Sequence, residues 1–207
     1  RLGGRRGHVH VERVSGDEVV LNTELEIEPL PLLPYELIVA VPRPQTVKKI
    51  AQLAAMVGVQ RVHFVRSANS QKSYLHSSTL LPDALQGEMV KGLEQSGASL
   101  LPQICIHPRF RPFVEDYLCR LEGLTQALKI VATPDAAQGL GGLRGGREDV
   151  LQTVFAAVGP ERGWNPYEME RFNQLGFLCV SLGERILRVE CAVTWLVAQL
   201  SLLRELG

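Results

Sequence analysis

Three segments of this chain combine residue types that can grip a small ligand through main-chain groups. They are Ala132-Thr133-Pro134, Gly159-Pro160-Glu161-Arg162-Gly163-Trp164-Asn165-Pro166 and Ser181-Leu182-Gly183-Glu184-Arg185-Ile186-Leu187-Arg188. Glycine accepts positive φ and lets the backbone approach a ligand closely. Each segment follows an apolar run that reads as a strand, and open α/β sheets bind ligands beyond the carboxyl ends of their strands. Taken singly, each is also compatible with a plain β-to-α turn.

Other candidates are weaker. Gly139-Leu140-Gly141-Gly142-Leu143-Arg144-Gly145-Gly146 is glycine-rich and follows a strand, but Arg144 stands where a dinucleotide fingerprint needs its third glycine. It reads as a flexible surface loop. His8 and His10 share one face of a strand with no third metal ligand in view, so they read as exposed strand histidines. Cys105, Cys119, Cys179 and Cys191 lack metal-site spacing and read as buried or incidental thiols in a reducing compartment, with no metal expected. No Ser-His-Asp set, Walker loop or HExxH motif is present.

The elements that must position these loops alternate. Leu37–Val41 reads as a buried parallel strand, Thr46–Met56 as a helix stopped by Gly58, and Val59–Val65 as a strand. A helix over Pro82–Gln95, a strand over Gln103–Ile106 and a helix over Pro112–Leu121 follow. Strands at Leu128–Ala132 and Val150–Val158, a helix at Pro166–Leu175 stopped by Gly176, a strand at Phe177–Leu182 and a helix at Glu190–Arg204 complete the series. Alternating strands and helices predict a mostly parallel sheet covered on both faces. The last helix is apolar nearly all round, with Val189, Ala192, Val193, Leu196, Val197, Leu200 and Leu203 on one side and Trp195 and Leu202 on another. Such a helix must bury more than one side, and a second subunit is the favoured cover.

The first residues differ. His8–Val14 and Val19–Leu25 alternate like two half-buried strands around the turn Ser15-Gly16-Asp17, and Pro29–Pro34, with three prolines, reads as a linker. Two strands alone are not a stable domain, so this part reads as the remnant of a small β domain. With 22 basic and 22 acidic residues the net charge is zero, which gives no global signal for nucleic acid. A neutral protein can still carry one basic face. No stretch is long and apolar enough to span a bilayer, since Ala192–Leu203 is broken by Thr194, Gln199 and Ser201.

The spacing of the last two loops resembles the RsmE family, whose pattern reads roughly GPEGG, a helix, GF, then LGxRILRxET. Here the corresponding residues are Gly159-Pro160-Glu161-Arg162-Gly163, Gly176-Phe177 and Leu182-Gly183-Glu184-Arg185-Ile186-Leu187-Arg188-Val189-Glu190. Upstream, Glu94-Gln95-Ser96-Gly97 resembles the family's EQSG motif, and the likeness covers about residues 35–207. The resemblance implies a SPOUT-type parallel sheet with a C-terminal trefoil knot over residues 34–207, preceded by part of a PUA-like β-barrel RNA-binding domain and linker over residues 1–33. It implies a homodimer that binds S-adenosyl-L-methionine and methylates N3 of a uridine in small-subunit (16S) ribosomal RNA. The cofactor would be held by Thr133, Pro134, Gly159, Pro160, Glu161, Gly163, Ser181, Leu182, Gly183, Ile186, Leu187 and Arg188. The cytoplasm is the expected compartment, with an organelle as the alternative, and no membrane partner is expected.

On that footing Arg188 is the residue expected to stabilise negative charge on the deprotonated uracil, with an ion pair to Glu190 or Glu161 as its structural alternative. Glu190 and Glu161 are expected either as bases or as complements to the cofactor's positive charge. RNA phosphates are expected on a face built from Arg5, Arg6, Arg66, Lys72, Arg109 and Arg111. Four positions depart from the family pattern: Arg162 for Gly, where a positive φ would be strained, Val189 and Cys191 for Thr, and Ala98 for Arg. Competing expectations are a ribose 2′-O-methyltransferase on the same fold, a weakened ribosome-assembly factor, and a small-molecule binder without a knot.

Overall fold

The computed structural model describes residues 2–144 and 153–206. Arg1, Gly145, Gly146, Arg147 and the first residues of the strand expected from Val150 lie outside them.

Alternating apolar runs produce a six-stranded sheet of β3 (Leu33–Ala40), β4 (Val59–Val65), β5 (Gln103–His107), β6 (Leu128–Ala132), β7 (Val154–Val158) and β8 (Leu178–Val180). The order is β5-β4-β3-β7-β6-β8, and every pairing is parallel. Successive side chains point to opposite faces, and the packing follows that rule. Leu37, Val39, Phe64, Ile130, Ala156 and Val158 join one core with the helices α1 (Pro44–Val57), α2 (Pro82–Ser96) and α5 (Val189–Glu205). Ile38, Val65, Val131, Phe155 and Ala157 join another with Phe110, Phe113, Leu118 and Phe172. The last of these belongs to α4 (Pro166–Gln174).

Most expected elements are present, with shifts that have local causes. The linker is shorter than Pro29–Pro34, because Leu33 already pairs with Val59 and its N–H donates to the Gly58 carbonyl at 2.6 Å. The helix expected over Pro112–Leu121 is replaced by three short turns: α3 (Phe110–Pro112), a π turn at Phe113–Tyr117 and a 3-10 turn at Leu118–Arg120. The wider π turn brings Phe113 and Leu118, five residues apart, into the same core. The glycine-rich stretch is not wholly a surface loop: Leu140 is buried and opens a 3-10 turn over Leu140–Arg144. Of the two expectations for the cysteines, burial does not hold, since Cys119, Cys179 and Cys191 are exposed and Cys105 is half-buried; all four are free thiols.

At the other end of the chain, β1 (Arg6–Ser15) and β2 (Glu18–Ile27) form an antiparallel hairpin turned at Gly16, whose φ is 56°. Val9, Val11, Val14, Leu21, Leu25 and Ile27 on it are exposed. Its base is tied to the C-terminus of α2. Gly3 N–H donates to the Ser99 carbonyl (2.7 Å), the Ser99 hydroxyl to the Gly4 carbonyl (2.7 Å), and Arg6 to the Gly97 carbonyl (3.2 Å). No helix among the described residues is long and apolar enough to cross a membrane.

Candidate functional site

Parallel strands place all their carboxyl ends at one edge of the sheet, and three neighbours, β7, β6 and β8, deliver the three loops singled out by sequence. With strands about 4.8 Å apart, the ends of β7 and β8 stand about 10 Å apart across β6. The loop after β6 is stitched to the end of β8. Thr133 N–H donates to the Val180 carbonyl (3.0 Å), Ser181 N–H donates to the Gln138 carbonyl (2.8 Å), and Gly139 bridges to Ser181.

The loop after β7 is a tight turn. Gly163 N–H donates to the Pro160 carbonyl at 2.8 Å, so Pro160–Gly163 closes on itself. The residue with positive φ is Gly163 (69°), and no described non-glycine residue has positive φ. Arg162 therefore sits in ordinary backbone, and its replacement of glycine carries no strain. A side chain at Gly159 would press within 3.1 Å of the Trp164 main-chain nitrogen, so the turn would have to yield by a few tenths of an ångström to accept one. The third loop is set by Ser181, whose hydroxyl exchanges hydrogen bonds with the Gly183 carbonyl (3.0 Å) and N–H (3.2 Å). Gly183, with φ of 130°, faces open space. Leu182 and Leu187 are half-buried and Ile186 is 86% exposed.

The charges around these loops are apportioned. Glu190, in the first turn of α5, accepts from Lys49 at 3.0 Å. A backbone N–H and Lys49 hold its carboxyl below the usual range. Glu161 faces Arg43 at 3.7 Å. Both carboxylates considered as partners for Arg188 are thus engaged by other cations, and Arg188 is exposed at the N-cap of α5.

The expected RNA-binding set divides. Arg66 follows β4, Lys72 lies in the connection from β4 to α2, and Arg109 and Arg111 follow β5, all near the edge that carries the loops. Arg111 is paired with Glu115 (2.8 Å). Arg5, paired with Glu28 (2.6 Å), and Arg6, tied to Gly97, lie by the C-terminus of α2, at the opposite edge of the sheet.

Sequence reasoning missed the residues that join the loops to one another. Asn165 caps α4, and Glu168 completes a capping box with it, a pairing that the run Asn165-Pro166-Tyr167-Glu168 does signal. Glu168 is 1% exposed, and its carboxylate also accepts from Ala68 N–H at 2.7 Å. Asn69 donates to the Gly163 carbonyl at 2.9 Å. The segment after β4 is thereby fastened to the turn after β7.

Two features suit a nucleoside-bearing sulfonium. The space beside Gly163 and Gly183 is open, and Trp164 Nε1, buried beside the β7 turn, has no partner among the described residues.

Comparison with known proteins bears on the family and the fold. The RNA methyltransferase domain family matches residues 28–201. The ribosomal RNA small subunit methyltransferase E of Treponema pallidum is 32% identical over 194 residues, covering 92% of this chain and 71% of that protein. The crystal structure of a ribosomal RNA small subunit methyltransferase E from Neisseria gonorrhoeae bound to S-adenosyl methionine superposes with a TM-score of 0.73 at 21% identity, over 99% of this chain and 80% of that one. The SpoU methyltransferase AviRb of Streptomyces viridochromogenes gives 0.55 at 15% identity, over 92% and 70%. The structural likenesses show the fold, an α/β parallel sheet shared with SPOUT-class proteins.

Proposed function

This chain belongs to the RNA methyltransferase domain family, and from that premise we propose that it transfers a methyl group from S-adenosyl-L-methionine to N3 of a uridine in small-subunit ribosomal RNA. The observation that carries this reading is the side-by-side delivery of three ligand-gripping loops by β7, β6 and β8, cross-stitched through Thr133, Gln138, Val180 and Ser181. Thr133, Pro134, Gly159, Pro160, Glu161, Gly163, Ser181, Leu182, Gly183, Ile186, Leu187 and Arg188 are the proposed cofactor contacts. S-adenosylmethionine supplies the activated methyl group.

The chain's own residues supply position and charge. The glycine turns offer main-chain donors and acceptors that need no reorganisation. Arg188, exposed at the N-cap of α5 with Glu190 in its field, is assigned to stabilise the negative charge that spreads over uracil oxygens once N3 loses its proton. Glu190 is a poor base, because its carboxyl is held in the charged form; its assigned part is to complement cationic charge beside α5.

The finer architecture is part of the proposal. Residues 1–33 act as a partial PUA-like β-barrel domain and 34–207 as a SPOUT domain with a trefoil knot. In support of the knot, α5 follows the edge strand β8 yet packs against α1, β7 and the 140–144 turn, as a chain returning across the sheet does. A homodimer is supported by the face of α5 turned away from its core. Cys191, Trp195, Ala198, Leu202 and Leu206 form one exposed stripe, with Trp195 and Leu202 each 54% exposed. Arg66, Lys72, Arg109 and Arg111 are the proposed phosphate contacts near the loops, with Arg5 and Arg6 a separate group at the hairpin base. The proposed partner is the small ribosomal subunit, in a bacterial cytoplasm.

The deciding experiment is transfer of tritium from labelled cofactor to under-methylated small subunits, followed by nucleoside analysis. Label in 3-methyluridine is expected. Label in a 2′-O-methylated nucleoside would move the activity to the ribose, and no transfer with intact cofactor binding would leave only an RNA-binding protein.

A further inference from the structure

A second polar cluster lies on the face of the sheet away from α1, α2 and α5, at the β5 edge, and the methyl-transfer reading makes no use of it. Strand register assembles it. Ile38 pairs with His63 and His63 with Cys105, while Val65 pairs with His107 and Glu36 with Arg61. Partners in a parallel pair share a face, so Glu36, His63, Cys105 and His107 all point to the same side, under Phe113 and Tyr117 of the π turn.

The hydrogen bonds fix which atoms carry lone pairs. Glu36, 4% exposed, is held by Arg61 at 2.9 and 3.2 Å, which keeps it as an acceptor. Its other partner is Nε2 of the fully buried His63, at 2.9 Å, so that nitrogen is the donor. Nδ1 of His63 is left as a lone pair directed at Nε2 of His107, 3.1 Å away. Donor atoms of His63, Cys105 and His107 all lie within 4.8 Å of one another.

We propose that His63 Nδ1, His107 Nε2 and Cys105 Sγ form a binding site for a zinc-class divalent cation, with Glu36 orienting His63 from behind and a water in the fourth position. Two imidazole nitrogens each about 2.05 Å from a tetrahedral zinc are about 3.3 Å apart, close to the 3.1 Å found. A thiolate and an imidazole on the same ion are about 3.6 Å apart, which Cys105, half-buried at the sheet edge, reaches by a small side-chain turn. A carboxylate accepting from the far nitrogen of a ligand histidine is the usual outer partner in such sites, and the Glu36–His63 contact reproduces it. The ion would pin edge strand β5 to β4. No short ligand motif announces it in the sequence, because the donors come from two strands more than forty residues apart. The proposal is independent of the methyl-transfer reading.

Cobalt(II) is the probe, added to the reduced chain. One equivalent should give tetrahedral d–d bands in the visible and a thiolate-to-cobalt charge-transfer band in the near ultraviolet, both removed by added zinc. Cys105→Ser should abolish the charge-transfer band. His107→Gln should weaken cobalt binding at least about tenfold. Both side chains are partly exposed, and circular dichroism confirms that each variant is folded. Zinc should raise the melting temperature of the parent chain and of neither variant. A chain that binds no cobalt at one equivalent overturns the proposal. So does a spectrum unchanged in both variants, which would place the ion at surface groups such as His8 and His10; the hydrogen-bonded Glu36–His63–His107 chain would then be the whole of the structure there.

Discussion

Replacing Glu168 by alanine tests how the loops are held together. Its carboxylate accepts from Ala68 N–H at 2.7 Å and from Asn165 N–H at 2.9 Å while 1% exposed. Hydrogen bonds to a charged acceptor contribute about 1.5–3 kcal/mol each, and a buried donor left unpaired costs about 1–3 kcal/mol. These figures overlap, since both count the same broken bonds, so a loss of about 3 kcal/mol is expected rather than their sum. For a domain of this size that corresponds to a fall in melting temperature of about 6–12 °C. Glu168→Gln keeps one acceptor oxygen and should lose about half as much. Asn165→Ala, which removes only the cap, should cost about 1 kcal/mol. Thermal unfolding measures all three, and calorimetry with S-adenosylmethionine reads the loop: Glu168→Ala should weaken binding more than Asn69→Ala, which leaves α4 anchored. If Glu168→Ala melts within about 1 °C of the parent, the carboxylate does not anchor α4 to the segment after β4, and the account of the loop's position fails.

Arg188→Ala should lower methyl transfer by about 100-fold or more while RNA affinity changes little; a rate near that of the parent removes Arg188 from the chemistry. Glu190 titrates below its ordinary value of 4.5 because of a backbone N–H and Lys49. A carboxyl lowered in the folded state contributes stability above its unfolded value and loses it as pH falls through the folded one. The destabilisation caused by Lys49→Ala should therefore be visible at neutral pH and shrink below 4.5; a gap in melting temperature that is the same at both pH values contradicts the ion pair. Trp195→Glu should convert a dimer to a monomer by light scattering, and an unchanged mass would require another cover for the α5 stripe. Arg66→Ala with Arg109→Ala should flatten the logarithmic salt dependence of RNA binding by about 1–2 units, whereas an unchanged slope would place the phosphates elsewhere.

What the sequence disclosed followed the reach of its signals. Apolar runs such as Leu37–Val41 marked buried strands, and proline-glycine turns marked their ends, because both depend on neighbours in the chain. The segment 110–120 misled for the same reason: its periodicity suits a helix, but packing of Phe113 and Leu118 against the sheet selects a π turn. Asn165 and Glu168 were legible as a cap, whereas the bond from Ala68 to Glu168 crosses 100 residues and exists only once β4 and β7 are in place. The His63, Cys105 and His107 cluster depends on the register of β4 and β5, which no local pattern encodes. Likewise, the expected basic set looked like one group in the chain and is divided by the sheet, since α2 returns Arg5 and Arg6 to the edge where the strands begin.

That division has a consequence for substrate length. The tethers at Gly97 and Ser99 fix the hairpin base at the starting edge of the strands, and the 8 residues of β3, at about 3.3 Å each, separate it from the loop edge by about 26 Å. A nucleic acid touching both ends of one chain has to travel that distance around the flank of the sheet. Oligomers of a few nucleotides cannot make the journey, so their affinity reports on the loop edge alone, and only a longer, folded fragment can register Arg5 and Arg6.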